Sequence, residues 1–162
     1  MIYLKKKERS NMDKIIEKAL EGFEKEIGQD KLMVLATRNK EGVSARTVNI
    51  YTYEGCFYFV TEADSNKYEQ ISKNNSVALS IDAIQIRGIG TLLSHPLSDS
   101  NEQIIGYVQS GLPHHFDRYK GDPAMRLIKI TPSYASFLSM ETGNGYVIDY
   151  KNQTAMPIEH KM

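Results

Sequence analysis

Three groups able to grip an anion lie near one another in this chain without being adjacent: Arg46, Ser65 and Lys67. The stretch holding them reads Arg46-Thr47-Val48-Asn49-Ile50-Tyr51, a Glu54-Gly55 turn, Phe57-Tyr58-Phe59-Val60-Thr61, then Glu62-Ala63-Asp64-Ser65-Asn66-Lys67. Two β-rich segments joined by a tight turn place Arg46 and Thr61 on neighbouring strands, while Ser65 and Lys67 fall in the first turn of a helix. A phosphate monoester needs several N–H or O–H donors and one or two cations, and a helix amino terminus presents donors aligned with a favourable dipole. Arg46 adds a planar fork that can bind two phosphate oxygens at once. Glu62 and Asp64 oppose an anion unless they turn away or serve as caps, and by composition alone a solvated strand-to-helix connection is the competing reading.

Around these residues the pattern predicts mostly short strands. From Asn11, read as an N-cap, Met12, Ile15, Ile16, Ala19, Leu20, Phe23 and Ile27 recur at helical spacing up to Gly28. Strands are expected over Leu32 to Thr37, Val43 to Tyr53, Cys56 to Thr61, Ser76 to Asp82 and Ile84 to Ser94. Three more are expected over Arg126 to Thr131, Ser133 to Met140 and Tyr146 to Asp149, the first two separated by Pro132. Short helices are expected over Lys67 to Lys73 and Asp99 to Ser110. The βα alternation of a parallel sheet is missing, so the fold class is mainly β with peripheral helices, an antiparallel barrel whose closure removes exposed edges. One domain over 1–162 is expected, with the helix at about 11–28 and the barrel at about 30–150.

Lys and Arg together number 20, as do Asp and Glu, so no global field favours nucleic acid. One cysteine, Cys56, excludes an intramolecular disulfide, and no metal-ligand spacing accompanies it; it reads as a buried strand residue in a reducing compartment. No window approaches the ~18 apolar residues of a membrane span, so the expectation is a cytoplasmic protein with neither membrane nor nucleic-acid partner.

The Arg46 to Tyr51 strand, Phe59-Val60-Thr61 and Ser65-Asn66-Lys67 together resemble the flavin-mononucleotide signature of the pyridoxamine 5′-phosphate oxidase-like split-barrel family. There an Arg-x-Val strand precedes a strand ending in Thr, and the phosphate-binding Lys follows six residues later, a spacing that Thr61 and Lys67 keep. Gln85-Ile86-Arg87-Gly88-Ile89-Gly90 is similar to the family's strand with a flavin-contacting Gln five residues before a Gly. The likeness covers roughly residues 30 to 140. It implies an antiparallel split β-barrel that binds FMN as a homodimer with flavin at the subunit interface. Arg46, Ser65 and Lys67 would hold the phosphate, Thr47, Val48 and Asn49 would pass along the ring, Val60 and Thr61 would flank the ribityl chain, and Gln85 would touch the ring. Asn66 stands in the same cofactor segment where the oxidase has Arg, which removes one cation. The chain has no Trp and lacks the oxidase's Trp- and Arg-containing carboxyl end, so vitamin B6 chemistry is not expected.

The function implied is an FMN-dependent oxidoreductase acting on a small-molecule substrate or NAD(P)H, in which the cofactor supplies the chemistry and no side chain serves as nucleophile. The alternative is a non-catalytic flavin- or haem-binding carrier or sensor, in which His114-His115 would be candidate haem ligands. A surface loop is the plainer reading of that pair. Arg87-Gly88-Ile89-Gly90 lacks the third glycine and the helix of a dinucleotide loop and reads as strand, with glycine permitting close backbone approach. Tyr107, Phe116 and Tyr119 could shape a cofactor or substrate wall, with core or interface packing the plainer reading.

Overall fold

The computed structural model describes residues 2–158, with side chains from residue 10 onward. Eight antiparallel strands form one sheet: β1 (Asp30–Asn39), β2 (Gly42–Tyr53), β3 (Cys56–Glu62), β4 (Ser76–Ile81), β5 (Ile84–Leu92), β6 (Met125–Leu138), β7 (Gly145–Asp149) and β8 (Thr154–Pro157). Their order is β3-β2-β1-β4-β5-β6-β7-β8, and β3 also pairs with β6. The first six therefore close into a barrel, the mainly β architecture expected from the pattern. Strands β7 and β8 extend from the far half of β6, paired Leu138↔Gly145 through Tyr134↔Asp149.

Local sequence accounts for the early elements. Asn39 turns the chain by accepting hydrogen bonds from the Glu41 and Gly42 amides at 2.9 and 3.0 Å. Glu54 and Gly55 both have positive φ, 47° and 71°, the mirror-image turn whose twist suits a two-residue hairpin. Helix α1 (Ile2–Ile27) lays Ala19, Phe23 and Ile27 into the barrel core and ends at Gly28, whose φ of 68° only glycine adopts freely. Helix α2 (Asn66–Lys73) closes one end of the barrel through Ile71, and α3 (Glu102–Gly111) covers the outer side of β2, β3 and β6. Two hydrophobic clusters result. The main one lies inside the barrel around Leu35, Ile50, Phe59, Leu79 and Ile128; the second, with Tyr51, Tyr58, Phe116 and Leu127, lies under α3.

Several boundaries differ from expectation. Helix α1 begins at Ile2, so Asn11 is a mid-helix residue and not its cap. The two strands expected on either side of Pro132 are one, β6, which runs through the proline. Pro132 pairs with Gly88 where the register shifts between Arg87 and Gly88, a bulge that tolerates the missing N–H. Gly88 and Gly90 behave as read from the sequence: a Cβ would lie 2.5 Å from the Thr131 carbonyl at one and 2.8 Å from Ile71 Cγ2 at the other. Strand β8 was not foreseen. Cys56 is partly exposed, because it occupies the last pair of the hairpin opposite Tyr53. No described helix is long and apolar enough to cross a membrane.

Candidate cofactor site

Strands β2 and β3 part soon after their turn. They share three pairs only, Tyr51↔Tyr58, Thr52↔Phe57 and Tyr53↔Cys56, after which β3 pairs with β6. Residues 42–50 of β2 keep a ladder with β1 alone, so the backbone polar groups directed to the other side have no strand partner. An open edge of this kind presents a row of unpaired N–H and C=O groups to which another group can bond. Thr47, Val48 and Asn49 lie along the open edge; Val60 and Thr61 lie beyond the parting on β3. Val48 points inward and is buried, Thr47 is exposed, and Asn49 is partly covered.

Arg46 lies midway along this edge. Its guanidinium donates to Thr37 Oγ1, to Gln70 Oε1 at 2.9 Å and to the Leu35 carbonyl at 3.5 Å, joining β1, β2 and α2. Thr37, only 2% exposed, donates in turn to Gln70 Oε1, and Gln70 Nε2 donates to Ser44 Oγ at 3.3 Å. Three of the five guanidinium N–H donors are thus committed to neutral oxygens, leaving two for a ligand. Burial pushes the Arg46 pKa down. Among the described residues no carboxylate forms an ion pair with Arg46 or with Lys67, so these two cations have no protein counter-charge.

At the amino terminus of α2, Ser65 caps the helix by accepting from the Tyr68 amide at 3.4 Å, and its hydroxyl lies 2.9 Å from that of Thr61. Thr61 is 1% exposed and also directs its hydroxyl toward Glu62 at 3.4 Å. Lys67 is partly buried one turn before Gln70, on the same helix face. The chain brings Ser65 to Thr61 and Arg46 to Gln70 of α2, and no hydrogen bond or ion pair among the described residues joins Arg46, Ser65 and Lys67 to one another. Asn66 turns elsewhere, into a cleft of 460 Å³ shared with Ser44, Gln70, Lys73, Glu41 and Glu69. That cleft includes none of Arg46, Ser65 and Lys67, and its two carboxylates disfavour an anion.

Gln85 stands apart from this group. The register aligns Thr47 with Val34, Val34 with Ser80 and Ser80 with Gln85, so Gln85 is three strands from Thr47, about 14 Å around the sheet. Gln70 and Thr37 were missed by sequence reasoning. Gln70 had a faint signal, three residues after Lys67 on a short helix, whereas Thr37 becomes relevant only once β1 and β2 are in register.

The histidine pair is engaged within the chain. His114, at φ 63°, binds Asp117 through Nδ1 at 2.9 Å. His115 Nε2 accepts from the Tyr51 hydroxyl and lies 3.2 Å from the Arg118 guanidinium. Burial and then the Arg118 charge lower the His115 pKa, and burial raises that of Tyr51, so both are neutral partners. Phe116 is fully buried in the second core, as packing predicts.

A closed antiparallel barrel parted between β2 and β3 is the frame of a family, and the sequence carries the same signature. The profile described as pyridoxamine 5′-phosphate oxidase matches residues 17–139, and the chain belongs to that family. No curated protein matches the sequence. Among solved structures, ChuZ of Campylobacter jejuni aligns with TM-score 0.63 at 18% identity over 88% of this chain and 66% of its own. A pyridoxamine 5′-phosphate oxidase-related, FMN-binding protein of Nostoc punctiforme aligns with TM-score 0.55 at 16% identity, over 81% of this chain and 87% of its own. General Stress Protein 26 of Bacillus anthracis aligns with TM-score 0.52 at 18% identity, over 77% and 92%. At such identities the likeness speaks for the fold alone.

Proposed function

We propose that this protein is an FMN-dependent oxidoreductase that works as a homodimer. One observation carries the reading: an unpaired stretch of β2 backbone carries Arg46, a partly buried cation without a protein counter-charge among the described residues. A desolvated charge is costly unless paired, and a phosphate supplies the missing partner. The residues fit the phosphate end of FMN. Arg46 has two free donors, Lys67 has no ion-pair partner among the described residues, and Ser65 presents its hydroxyl at a helix amino terminus.

Bound flavin supplies hydride or single-electron transfer. The chain's part is to hold and tune it: Arg46, Ser65 and Lys67 bind the phosphate, Thr47 to Asn49 offer backbone donors along the open edge, and Val60 and Thr61 form the other wall. Backbone N–H groups directed at the ring favour its anionic reduced form. Asn66, with its side chain in the neighbouring cleft, leaves the phosphate to two cations.

Gln85 gives the reason for a second copy. Three strands from Thr47, it would reach a flavin lying along β2 of a partner subunit. The face between them suits such a contact: Leu32 and Val43 are 63% and 74% exposed, Val34 and Ile89 are also exposed, and Ala36, Ala45 and Ala78 lie among them. Donor and acceptor are small molecules, with NAD(P)H as the first donor to test. Anaerobic addition of NADH or NADPH to FMN-loaded protein should bleach the flavin, and a small electron acceptor should restore it over many turnovers. FMN that binds and is never reduced would instead make the protein a carrier, a reading that the reduced charge at Asn66 favours.

A further inference from the structure

We propose that the cavity between the carboxyl end of α1, the β2–β3 turn and α3 binds a small organic cation, an ammonium group carried on an aromatic or aliphatic body. The cavity measures 340 Å³, at the low end of the ~300–1,000 Å³ typical of ligand sites. It lies about 23 Å along β2 from Arg46, counting seven residues from Arg46 to Tyr53, and so is separate from the proposed flavin phosphate site.

Its walls have the two properties that recognise such a cation. Tyr53 and Tyr107 stand with ring centroids 4.9 Å apart at 44°, and Phe23, Phe57 and Tyr150 also line the cavity. Aromatic faces attract an organic cation through their quadrupoles, more strongly when water is excluded. Glu24 and Glu54 supply carboxylates, and no Lys, Arg or His among the described residues lines the cavity. The electrostatics of the wall agree: burial, and after it the field of Glu24, raises the Tyr150 pKa to about 12. Burial and then Glu54 raise that of Tyr53. The Glu24 and Glu54 carboxylates, the secondary cause of these two shifts, also attract a positive charge.

The test is a titration of the full-length protein by ¹H–¹⁵N NMR with 2-phenylethylammonium chloride and, separately, its neutral isostere 2-phenylethanol. The cation should saturate, shift the amides of Glu54, Gly55 and Tyr107, and bind about tenfold more tightly than the alcohol. Glu24→Gln with Glu54→Gln should remove that preference, and Tyr107→Leu should weaken the cation while sparing the alcohol. All three positions are exposed, so the variants should keep the wild-type spectrum elsewhere. Equal binding of the two probes, shifts confined to other surfaces, unchanged affinity in the double glutamine variant, or no saturation would each overturn the proposal. FMN binding does not enter the readout, so failure here leaves the flavin assignment standing.

Discussion

Replacing Gly90 with alanine should displace α2 and with it one side of the cofactor site. A Cβ at position 90 would lie 2.8 Å from Ile71 Cγ2, closer than such atoms approach, and 3.6 Å from Val77 Cγ1. Ile71 is 2% exposed and packed in the main core, so it has little room to yield. Overpacking of this kind costs about 1–3 kcal/mol. In a chain of this size that lowers Tm by roughly 2–4 °C per kcal/mol. Relief by movement of α2 would stretch the 2.9 Å bond from Arg46 to Gln70 and carry Ser65 and Lys67 out of place. Urea unfolding and FMN titration of Gly90→Ala should therefore both show a loss. Ile71→Leu removes the offending Cγ2 at similar volume, so the double variant should recover at least ~0.5 kcal/mol relative to additivity, the lower end of coupling between contacting residues. Wild-type stability and FMN affinity in Gly90→Ala, or strict additivity in the pair, would refute the argument that α2 is held at this distance by the missing Cβ.

Asn66→Arg adds a cation in the cleft that holds Glu41 and Glu69, apart from Arg46, Ser65 and Lys67, and should change FMN affinity by less than about threefold; isothermal titration at two salt concentrations checks it. Because the folded His115 pKa lies below its ordinary value of 6.5, the unfolded chain binds the extra proton first. The stability contributed by neutral His115 is thus complete above pH 6.5 and is lost as pH falls toward the lowered value, when the imidazole can no longer accept from Tyr51. Urea midpoints measured across that window should fall in the wild type and fall less in His115→Gln. Val34→Glu places a charge at the centre of the exposed apolar face and should yield monomers by sedimentation that also lose FMN; a variant that stays dimeric would move the subunit contact elsewhere.

Where neighbouring residues decide a structure, it was legible in the chain. The Glu54-Gly55 turn, the alternation of β2 and β3, and Ser65 before α2 are each settled by backbone preference and capping within a few residues. The antiparallel barrel followed from the run of short strands without βα alternation, and the family signature added that it is a split barrel. What escaped depends on pairings between distant segments. Pro132 looks like a stop until Gly88 is placed opposite it, where a bulge absorbs the missing donor. Thr37 and Gln70 are ordinary polar residues until barrel closure sets both against Arg46. The separation of Gln85 from Thr47 follows from strand order, which linear spacing does not carry. Glu62 and Asp64, weighed from sequence as obstacles to an anion, form no ion pair with Lys67.

The central claim is that Arg46, Ser65 and Lys67 read a phosphate, and comparing FMN with riboflavin in one calorimetric series tests it most directly. Wild-type protein should bind FMN at least ~100-fold more tightly than riboflavin, the sum of two charge-assisted contacts at 1.5 kcal/mol or more each. Lys67→Ala and Arg46→Met should each reduce that ratio about tenfold or more while leaving riboflavin affinity nearly unchanged. Equal affinity for the two flavins in the wild type, or a ratio untouched by both substitutions, would contradict the account.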